Sequence, residues 1–156
     1  MQERKREFRL EDIRIHFTQV DDAWRLSPAL RLSFLIDNRS DHEVFLDKFL
    51  YRLRVSIGSW TPEVGSGAFL EKRRIVPLSE SSIDDVLELF PHKFELIDKR
   101  TIDPSFRELF WKADIAAELI VKEVGEFQVR REAICRTPAS DWRHWAEIWK
   151  KWMESF

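Results

Sequence analysis

The hydrophobic pattern of this chain repeats mainly every second residue, as in strands that bury one face. Two runs show it most clearly, one over residues 30–36 and one over residues 49–57. Turn-forming residues 37–41 end the first run, and Gly58 ends the second. The pattern therefore predicts two consecutive half-buried strands.

The same alternation predicts further strands on both sides of this pair. Residues 115–121 alternate up to a turn around Gly125, and residues 127–133 alternate back, as in a closing hairpin. Shorter strands are expected at residues 68–78 and 83–89. Near the N-terminus the apolar parity changes, which predicts a bulge near Glu11 and Asp12.

Two segments do not follow the alternation. The glycine-rich residues 59–67 are interpreted as a loop, because they lack the Gly-Lys-Ser/Thr and the following helix of a phosphate-binding loop. Residues 91–110 show no clear period. Within them, Pro104 is expected to open a short helical turn over residues 104–110.

The period changes at Thr137 and Pro138, where an amphipathic helix is predicted over residues 137–156. Thr137 is the expected N-cap with Pro138 at the first helical position, or Ser140 caps one turn later. Large aromatic residues then recur at spacings of three, four, three and four. They form the tryptophan stripe: Trp142, Trp145, Trp149, Trp152 and Phe156.

Such a stripe has to be buried, because each large apolar side chain gains roughly 1.5–3 kcal/mol on full burial. Three surfaces can bury it: the protein's own sheet or the open end of its sandwich, a second copy or other protein partner, and a membrane surface. The first is favoured, and the stripe is the candidate interaction site if the second or third applies. The helix's polar face carries balanced charge, which gains little from anionic lipid.

About seven strands without alternating helices predict an antiparallel β-sandwich with one C-terminal helix. A chain of 156 residues is the usual size of one domain. We therefore expect a single domain over residues 1–156, with the sandwich at 8–136 and the helix at 137–156. Cys135 is the only cysteine, which excludes an intrachain disulfide, and its place in a strand predicts a small buried apolar residue.

Charge and hydropathy narrow the partners. The 26 basic and 28 acidic residues nearly cancel, so no long-range field attracts a polyanion and nucleic acid is not an expected partner. No apolar run reaches membrane-spanning length, and the first residues lack a secretory signal. A cytoplasmic location is expected, and an anchor preceding residue 1 stays open.

No catalytic, metal-binding or cofactor-binding set is predicted. The four histidines are scattered and are expected to be solvated: His16, His42, His92 and His144. An enzyme hypothesis would require a convergence of residues distant in sequence onto one cleft: Asp84, Asp85, His92 and Asp98.

Basic residues cluster in two doublets and on one strand. These are Arg73-Arg74, Arg130-Arg131, Arg52 and Arg54. They would form a cationic sheet face if their strands were neighbours. The favoured interpretation is solvated charges that protect faces and edges against strand pairing.

The strand runs Leu32-x-Phe34-x-Ile36-x-Asn38-x-Ser40, Val44-x-Leu46 and Tyr51-x-Leu53-x-Val55-x-Ile57-Gly58 resemble the WHy domain of desiccation-related late-embryogenesis-abundant (LEA) proteins. The resemblance covers about residues 28–135. It implies an immunoglobulin- or fibronectin-like β-sandwich and a non-enzymatic role in stress or binding. The family's Asn-Pro-Asn turn is Asn38-Arg39-Ser40 here, and the tryptophan helix is an addition.

The leading hypothesis from the sequence is a non-enzymatic β-sandwich that serves as a binding or stress-associated module without a cofactor. The alternative is a peripheral membrane or oligomer-assembly module that docks through the tryptophan stripe.

Overall fold

The computed structural model describes residues 6–23 and 27–155. Within these ranges the chain is mainly β, in two antiparallel sheets. The strands are β1 (Ile13–Asp22), β2 (Ala29–Asn38), β3 (Val44–Ser56), β4 (Glu63–Phe69), β5 (Arg73–Ile75), β6 (Ser79–Glu88), β7 (Glu108–Val121) and β8 (Gly125–Pro138). Two helices complete the fold, α1 (Pro91–Arg100) and α2 (Ala139–Glu154).

The strands form a three-stranded and a five-stranded sheet. The smaller sheet has the order β1-β2-β6, and the larger has the order β4-β3-β7-β8 with β5 paired to the start of β3. The sheets face each other, with β1 running beside β8 and β6 beside β4. The predicted β-sandwich with a C-terminal helix is thereby confirmed.

The core lies between the two sheets. The alternating residues of β2 point into it, and Phe34 sits at its centre, stacked on Phe17 with ring centroids 4.7 Å apart. Phe34 also contacts Phe49 and Tyr51 of the opposite sheet, at 5.1 and 5.3 Å. Sequence alternation and burial therefore coincide in the central strands.

A bulge in β3 explains why its apolar residues change parity. The register with β7 shifts between Leu46 and Lys48. Before the shift Val44 and Leu46 are buried, and after it the buried positions start at Phe49. One extra residue turns the following side chains to the other face, so both halves of this 13-residue strand bury their apolar side.

The loop interpretation of residues 59–67 is wrong for its second half. Residues from Glu63 onward form β4. The two glycines of this strand occupy positions where a side chain would not fit. A Cβ on Gly65 would lie 2.7 Å from Leu87, and one on Gly67 would lie 2.3 Å from the Tyr51 hydroxyl. These glycines permit close packing between the sheets.

The helix expected within residues 91–110 lies elsewhere than predicted. The helix in this region is α1, which begins with Pro91 at its first turn, where the missing N–H costs nothing. Its only buried residues are Phe94 and Ile97. The helical turn expected after Pro104 is absent, since residues 104–107 form a turn and an irregular link and β7 begins at Glu108.

Three boundaries differ from the sequence expectations. A single 3₁₀ turn, Leu10–Asp12, replaces the predicted bulge, and the register irregularity lies further on, between Phe17 and Gln19. The short strands expected at residues 68–78 and 83–89 are observed as β5 and β6. Thr137 does not cap α2, because it stays in β8 while Pro138 takes the N-cap position.

A buried asparagine closes the turn between β2 and β3. Asn38 Nδ2 donates to the carbonyl oxygens of His42 (2.8 Å) and Ile75 (3.1 Å), which ties the turn to β5. Its Oδ1 accepts from the amide (3.0 Å) and the hydroxyl (2.6 Å) of Ser40. Asn38 therefore has a structural role in this chain, because it holds the β2–β3 turn against β5.

Candidate functional site

The tryptophan stripe of α2 lies mostly inside the molecule. Trp142, Trp145 and Trp149 are buried, with Trp142 at 0% exposure, and Trp152 is half-buried. Phe156, the fifth residue of the stripe, lies outside the described residues, as does Trp24. The buried part of the stripe faces the protein's own sandwich.

An aromatic cluster receives the stripe. Trp142 lies with its ring centroid 6.2 Å from Trp111 of β7 and 6.0 Å from Phe94 of α1. Phe94 also meets the edge of Trp149 at 5.5 Å, and Trp149 contacts Trp145 at 6.3 Å. The unpredicted helix α1 thus contributes Phe94 to the surface on which α2 packs, beside Trp111 of β7.

Each fully buried indole in this cluster has a hydrogen-bond acceptor. Trp111 Nε1 donates to Thr137 Oγ1 at 2.8 Å, and Trp142 Nε1 donates to Thr101 Oγ1 at 3.1 Å. Trp149 Nε1 donates to a carboxylate oxygen of Asp22, also at 3.1 Å. Burial of these three rings therefore leaves none of their indole N–H groups without an acceptor, and the free-energy cost of an unpaired donor does not arise.

One open surface of the protein is the outer side of the larger sheet. The outward side chains of its four long strands surround a depression of about 1020 Å³. We call this surface the outer sheet face. It comprises Ser66, Ala68, Leu50, Arg52, Arg54, Lys112, Asp114, Ala116, Arg130, Glu132 and Ile134.

An apolar row crosses the outer sheet face. Ala68, Leu50, Ala116 and Arg130 stand opposite one another on β4, β3, β7 and β8. Leu50 is 43% exposed although it lies at the middle of the sheet. The row is therefore apolar from Ala68 to Ala116, with the exposed Leu50 between two small residues. Arg130 stands at the end of the row on β8.

The charged side chains beside this row are mostly paired. Arg54 Nε lies 3.4 Å from Asp114 Oδ2, and Lys112 Nζ lies 3.1 Å from Glu132 Oε1. Arg52 Nε makes a long contact with Oε1 of the exposed Glu63, at 3.9 Å. Exposed pairs of this kind contribute little to stability.

The structure separates the arginines that the sequence grouped together. Arg52, Arg54 and Arg130 share the outer sheet face. They lie on β3 and β8, and β7 lies between these two strands. Arg131 points the other way and reaches the Leu10 carbonyl at 3.4 Å. The two arginines of β5 lie elsewhere, with Arg73 bonded to Ser82 and Arg74 to Glu43.

The four residues of the enzyme hypothesis have separate partners. Asp84 accepts from Ser33 (2.5 Å), Asp85 accepts from Tyr51 (2.7 Å), and Asp98 pairs with Lys150 (2.6 Å). The exposed His92 ring stacks on Phe90. Within the described residues no group of three His, Cys, Asp or Glu is arranged to hold a metal ion.

One of the four histidines departs from expectation. His16, His92 and His144 are exposed, whereas His42 is only 9% exposed. Its Nε2 lies 2.9 Å from the Arg6 carbonyl, and the ring meets Phe8 edge-on. The prediction of a solvated ring is wrong here because the segment before β1 covers the β2–β3 turn.

Cys135 occupies the inward parity of β8 and is half-buried. Burial raises the pKa of its thiol, as expected for a group in largely apolar surroundings. A raised pKa leaves little thiolate near neutrality.

Tyr51 and Asp85 join the two sheets across the sandwich. The Tyr51 hydroxyl donates to Asp85 Oδ2 at 2.7 Å, and the ring is 2% exposed. Burial first, then the hydrogen bond and the charge of Asp85, raise the tyrosine pKa far above its usual value. The hydroxyl therefore keeps its proton while the protein is folded.

This pair predicts a loss of stability in alkali. Above pH about 10 the unfolded chain releases the Tyr51 proton and the folded chain retains it, so stability falls by about 1.4 kcal/mol per pH unit from this group. Because Tyr51 is the only tyrosine, tyrosinate absorbance should appear together with unfolding. Tyr51→Phe should lack this part of the slope. Tyrosinate at pH 10 with native circular dichroism would contradict the account.

Other proteins share this architecture. A solution structure from Arabidopsis thaliana has a TM-score of 0.57 at 13% identity, over 80% of this chain and 77% of that one. The solution structure of a candidate late embryogenesis abundant (LEA) protein has a TM-score of 0.52 at 11% identity, over 83% and 72%. An X-ray structure of a structural-genomics target has a TM-score of 0.50 at 15% identity, over 80% and 84%.

These likenesses concern the fold. The sequence matches no protein-family model and no curated protein. The resemblance to LEA-like sandwiches that was predicted from the strand runs is confirmed at the level of the fold. Among the described residues no helix is long and apolar enough to cross a membrane.

Proposed function

We propose that this protein is a non-enzymatic binding module whose outer sheet face holds an acidic, partly apolar segment of another protein. The observation that carries the proposal is the row Ala68–Leu50–Ala116–Arg130. An exposed leucine between two alanines offers apolar contact to an extended segment. The arginine at its end has no acidic residue opposite it.

Charge supports an acidic partner. The outward side chains around the depression include three arginines, Arg52, Arg54 and Arg130, and two carboxylates, in a protein whose net charge is -2. One carboxylate, Asp114, is already engaged by Arg54, and the other, Glu132, by Lys112. Arg130 and the weakly paired Arg52 remain as donors for a carboxylate, to which an arginine can make two parallel hydrogen bonds.

We further propose that the module has a stress-associated role, and what supports this is the fold it shares with the candidate LEA protein. A module that binds acidic segments of other proteins fits such a role. The burial of the three central tryptophans of α2 on their own sandwich supports the outer sheet face over the alternative of docking through α2.

Titration with a defined peptide tests the binding role. A labelled peptide of alternating glutamate and leucine is added to the protein, and amide chemical shifts are followed together with fluorescence polarisation. We expect saturable binding with shifts on β3, β7 and β8. Arg52→Glu with Arg130→Glu should weaken binding about 10-fold or more, because hydrogen bonds to charged groups are lost and repulsion replaces them.

A matched variant controls for net charge. Arg14→Glu with Arg31→Glu makes the same charge change on exposed positions of the smaller sheet. This control should bind the peptide within about twofold of the unchanged protein. Equal weakening by both double variants, or shifts confined to other strands, would rule out the outer sheet face as the binding surface.

A further inference from the structure

Helix α1 presents large apolar side chains to solvent. Phe90, at its N-cap position, is 63% exposed, and Leu96, in its middle, is 50% exposed. The side of the helix that packs on the sandwich is formed by Phe94 and Ile97. Packing of α1 within the protein therefore leaves part of its apolar surface uncovered.

Two cations lie beside Leu96 on α1. Lys93 precedes Leu96 by three positions and Arg100 follows it by four, and these spacings make the three side chains neighbours on one side of the helix. The acidic residues of α1, Glu95 and Asp98, lie about 140–160° around the axis from both cations. Asp98 is also engaged in an ion pair of 2.6 Å. This side of α1 therefore carries positive charge alone among the residues of the helix.

Aromatic rings hold both cations in place. Lys93 Nζ lies 5.7 Å from the ring centre of Phe90 and donates to the Val64 carbonyl at 3.2 Å. The Arg100 guanidinium lies 4.9 Å from the ring centre of Trp60, a partly exposed residue between β3 and β4. The chain from Trp60 to Val64 thus runs alongside α1. We call the resulting surface the α1 flank: Trp60, Phe90, Lys93, Leu96 and Arg100.

The composition of the α1 flank suits the interface of a lipid bilayer. Aromatic rings favour the headgroup region, and long cationic side chains lay their aliphatic stems on apolar surface while their charged ends reach outward. A surface with positive charge alone is attracted to anionic lipid, unlike the balanced polar face of α2. The side of a helix is also convex, so it meets a broad surface more readily than an extended peptide, which binds in grooves or along strand edges.

We propose that the α1 flank docks this protein on a membrane surface that contains anionic lipid. Phe90 and Leu96 enter the headgroup region, and Lys93 and Arg100 contact lipid phosphates. The contact is shallow and reversible, because two apolar side chains and two cations bind far less strongly than a spanning helix. The α1 flank is separate from the outer sheet face, so membrane docking is a function beyond the binding of a protein segment.

Co-sedimentation with vesicles tests the apolar part of this surface. The vesicles are phosphatidylcholine with about one third phosphatidylserine. We expect saturable binding that decreases with added salt and is much weaker on phosphatidylcholine alone. Phe90→Ser with Leu96→Gln should weaken it about 10-fold or more, because the apolar contact is lost. Serine is a favoured N-cap and glutamine a good helix former, so α1 should remain folded.

A second pair of substitutions tests the cations independently. Lys93→Gln with Arg100→Gln should also weaken binding to the phosphatidylserine vesicles about 10-fold or more, because each cation near an anionic surface contributes to the attraction. Both side chains lie outside the buried side of α1, and circular dichroism should stay native.

Matched variants at other places control for apolar surface and for charge. Leu78→Asn with Val124→Gln removes two exposed apolar side chains from the β5–β6 and β7–β8 turns. Arg14→Gln with Arg31→Gln removes two charges from the smaller sheet. Both controls should bind vesicles within about twofold of the unchanged protein.

The peptide of glutamate and leucine separates this proposal from the first. Both α1-flank variants should bind it like the unchanged protein, whether or not the outer sheet face proves to be its site. Absence of saturable binding to phosphatidylserine vesicles, equal binding to vesicles without phosphatidylserine, or equal losses in the flank and control variants would overturn membrane docking. So would binding of the soluble peptide at the α1 flank without any binding to vesicles.

Discussion

Trp142→Ala should lower the free energy of unfolding by about 3–5 kcal/mol, the range measured for large aromatic residues removed from cores. Trp142 has no exposed surface and joins three aromatic rings, those of Trp111, Phe94 and Trp149. The substitution leaves a cavity between α1, α2 and β7. It also removes the indole N–H that donates a hydrogen bond to Thr101 Oγ1.

Urea denaturation measures this loss directly. Lys151→Ala, on the exposed side of the same helix, is the matched control and should stay within about 0.5 kcal/mol of the unchanged protein. A domain is stable by only about 5–15 kcal/mol, so Trp142→Ala removes a large share of the total. A loss below about 1 kcal/mol would mean that α2 does not hold this end of the sandwich together.

Gly67→Ala should destabilise the protein by about 2–4 kcal/mol. The new Cβ would lie 2.3 Å from the Tyr51 hydroxyl oxygen and 2.6 Å from Asp85 Oδ2. Both atoms belong to the bond that joins the sheets, so the methyl group both overpacks the core and separates the pair. Overpacking costs about 1–3 kcal/mol, and a buried polar group left without a partner costs a similar amount.

The neighbouring residue provides the control for this position. Ser66 lies in the same strand with its side chain on the open side, and Ser66→Ala should change the free energy of unfolding by less than about 0.5 kcal/mol. Equal effects of the two substitutions in thermal or urea unfolding would show that β4 does not pack closely on Tyr51.

The central strands could be predicted because burial on one face imposes a period of two. Leu30, Leu32, Phe34 and Ile36 alternate in the sequence, and all four are fully buried. In contrast, α1 leaves a weak pattern. Only two of its ten residues are buried, and the apolar Leu96 is half-exposed.

The strand in the glycine-rich segment could not be predicted for a different physical reason. Glycine indicates a turn when a backbone angle requires it, but Gly65 and Gly67 are required by side chains of other strands. Leu87 and Tyr51 are distant from them in sequence. Composition alone therefore predicts a loop where the structure has a strand.

The candidate binding surfaces depend on register, which the sequence pattern does not supply. The alternation places Arg52 and Arg54 on the outward side of their strand. Their arrangement with Ala116 and Arg130 depends on β7 lying between β3 and β8. The tryptophan stripe likewise indicates that something must cover it, but the contribution of Phe94 from α1 could not be identified from the sequence of that helix.

In this structure α2 closes the end of the sandwich with its tryptophans, and the proposed binding therefore uses the outward surfaces. Exchange of the indole N–H protons in heavy water, followed by nitrogen-resolved NMR of the dilute protein, tests this most directly. The indole protons of Trp111, Trp142 and Trp149 donate to protein acceptors and are buried. Trp60 serves as the internal reference, since it is only partly buried.

We expect these three indole protons to exchange as slowly as the central amides of β3 and β7, at a rate that does not depend on protein concentration. Trp60 should exchange much faster. Fast exchange of Trp142 and Trp149 while β3 and β7 stay protected would contradict the account. It would show that α2 leaves the sandwich and exposes its stripe to solvent.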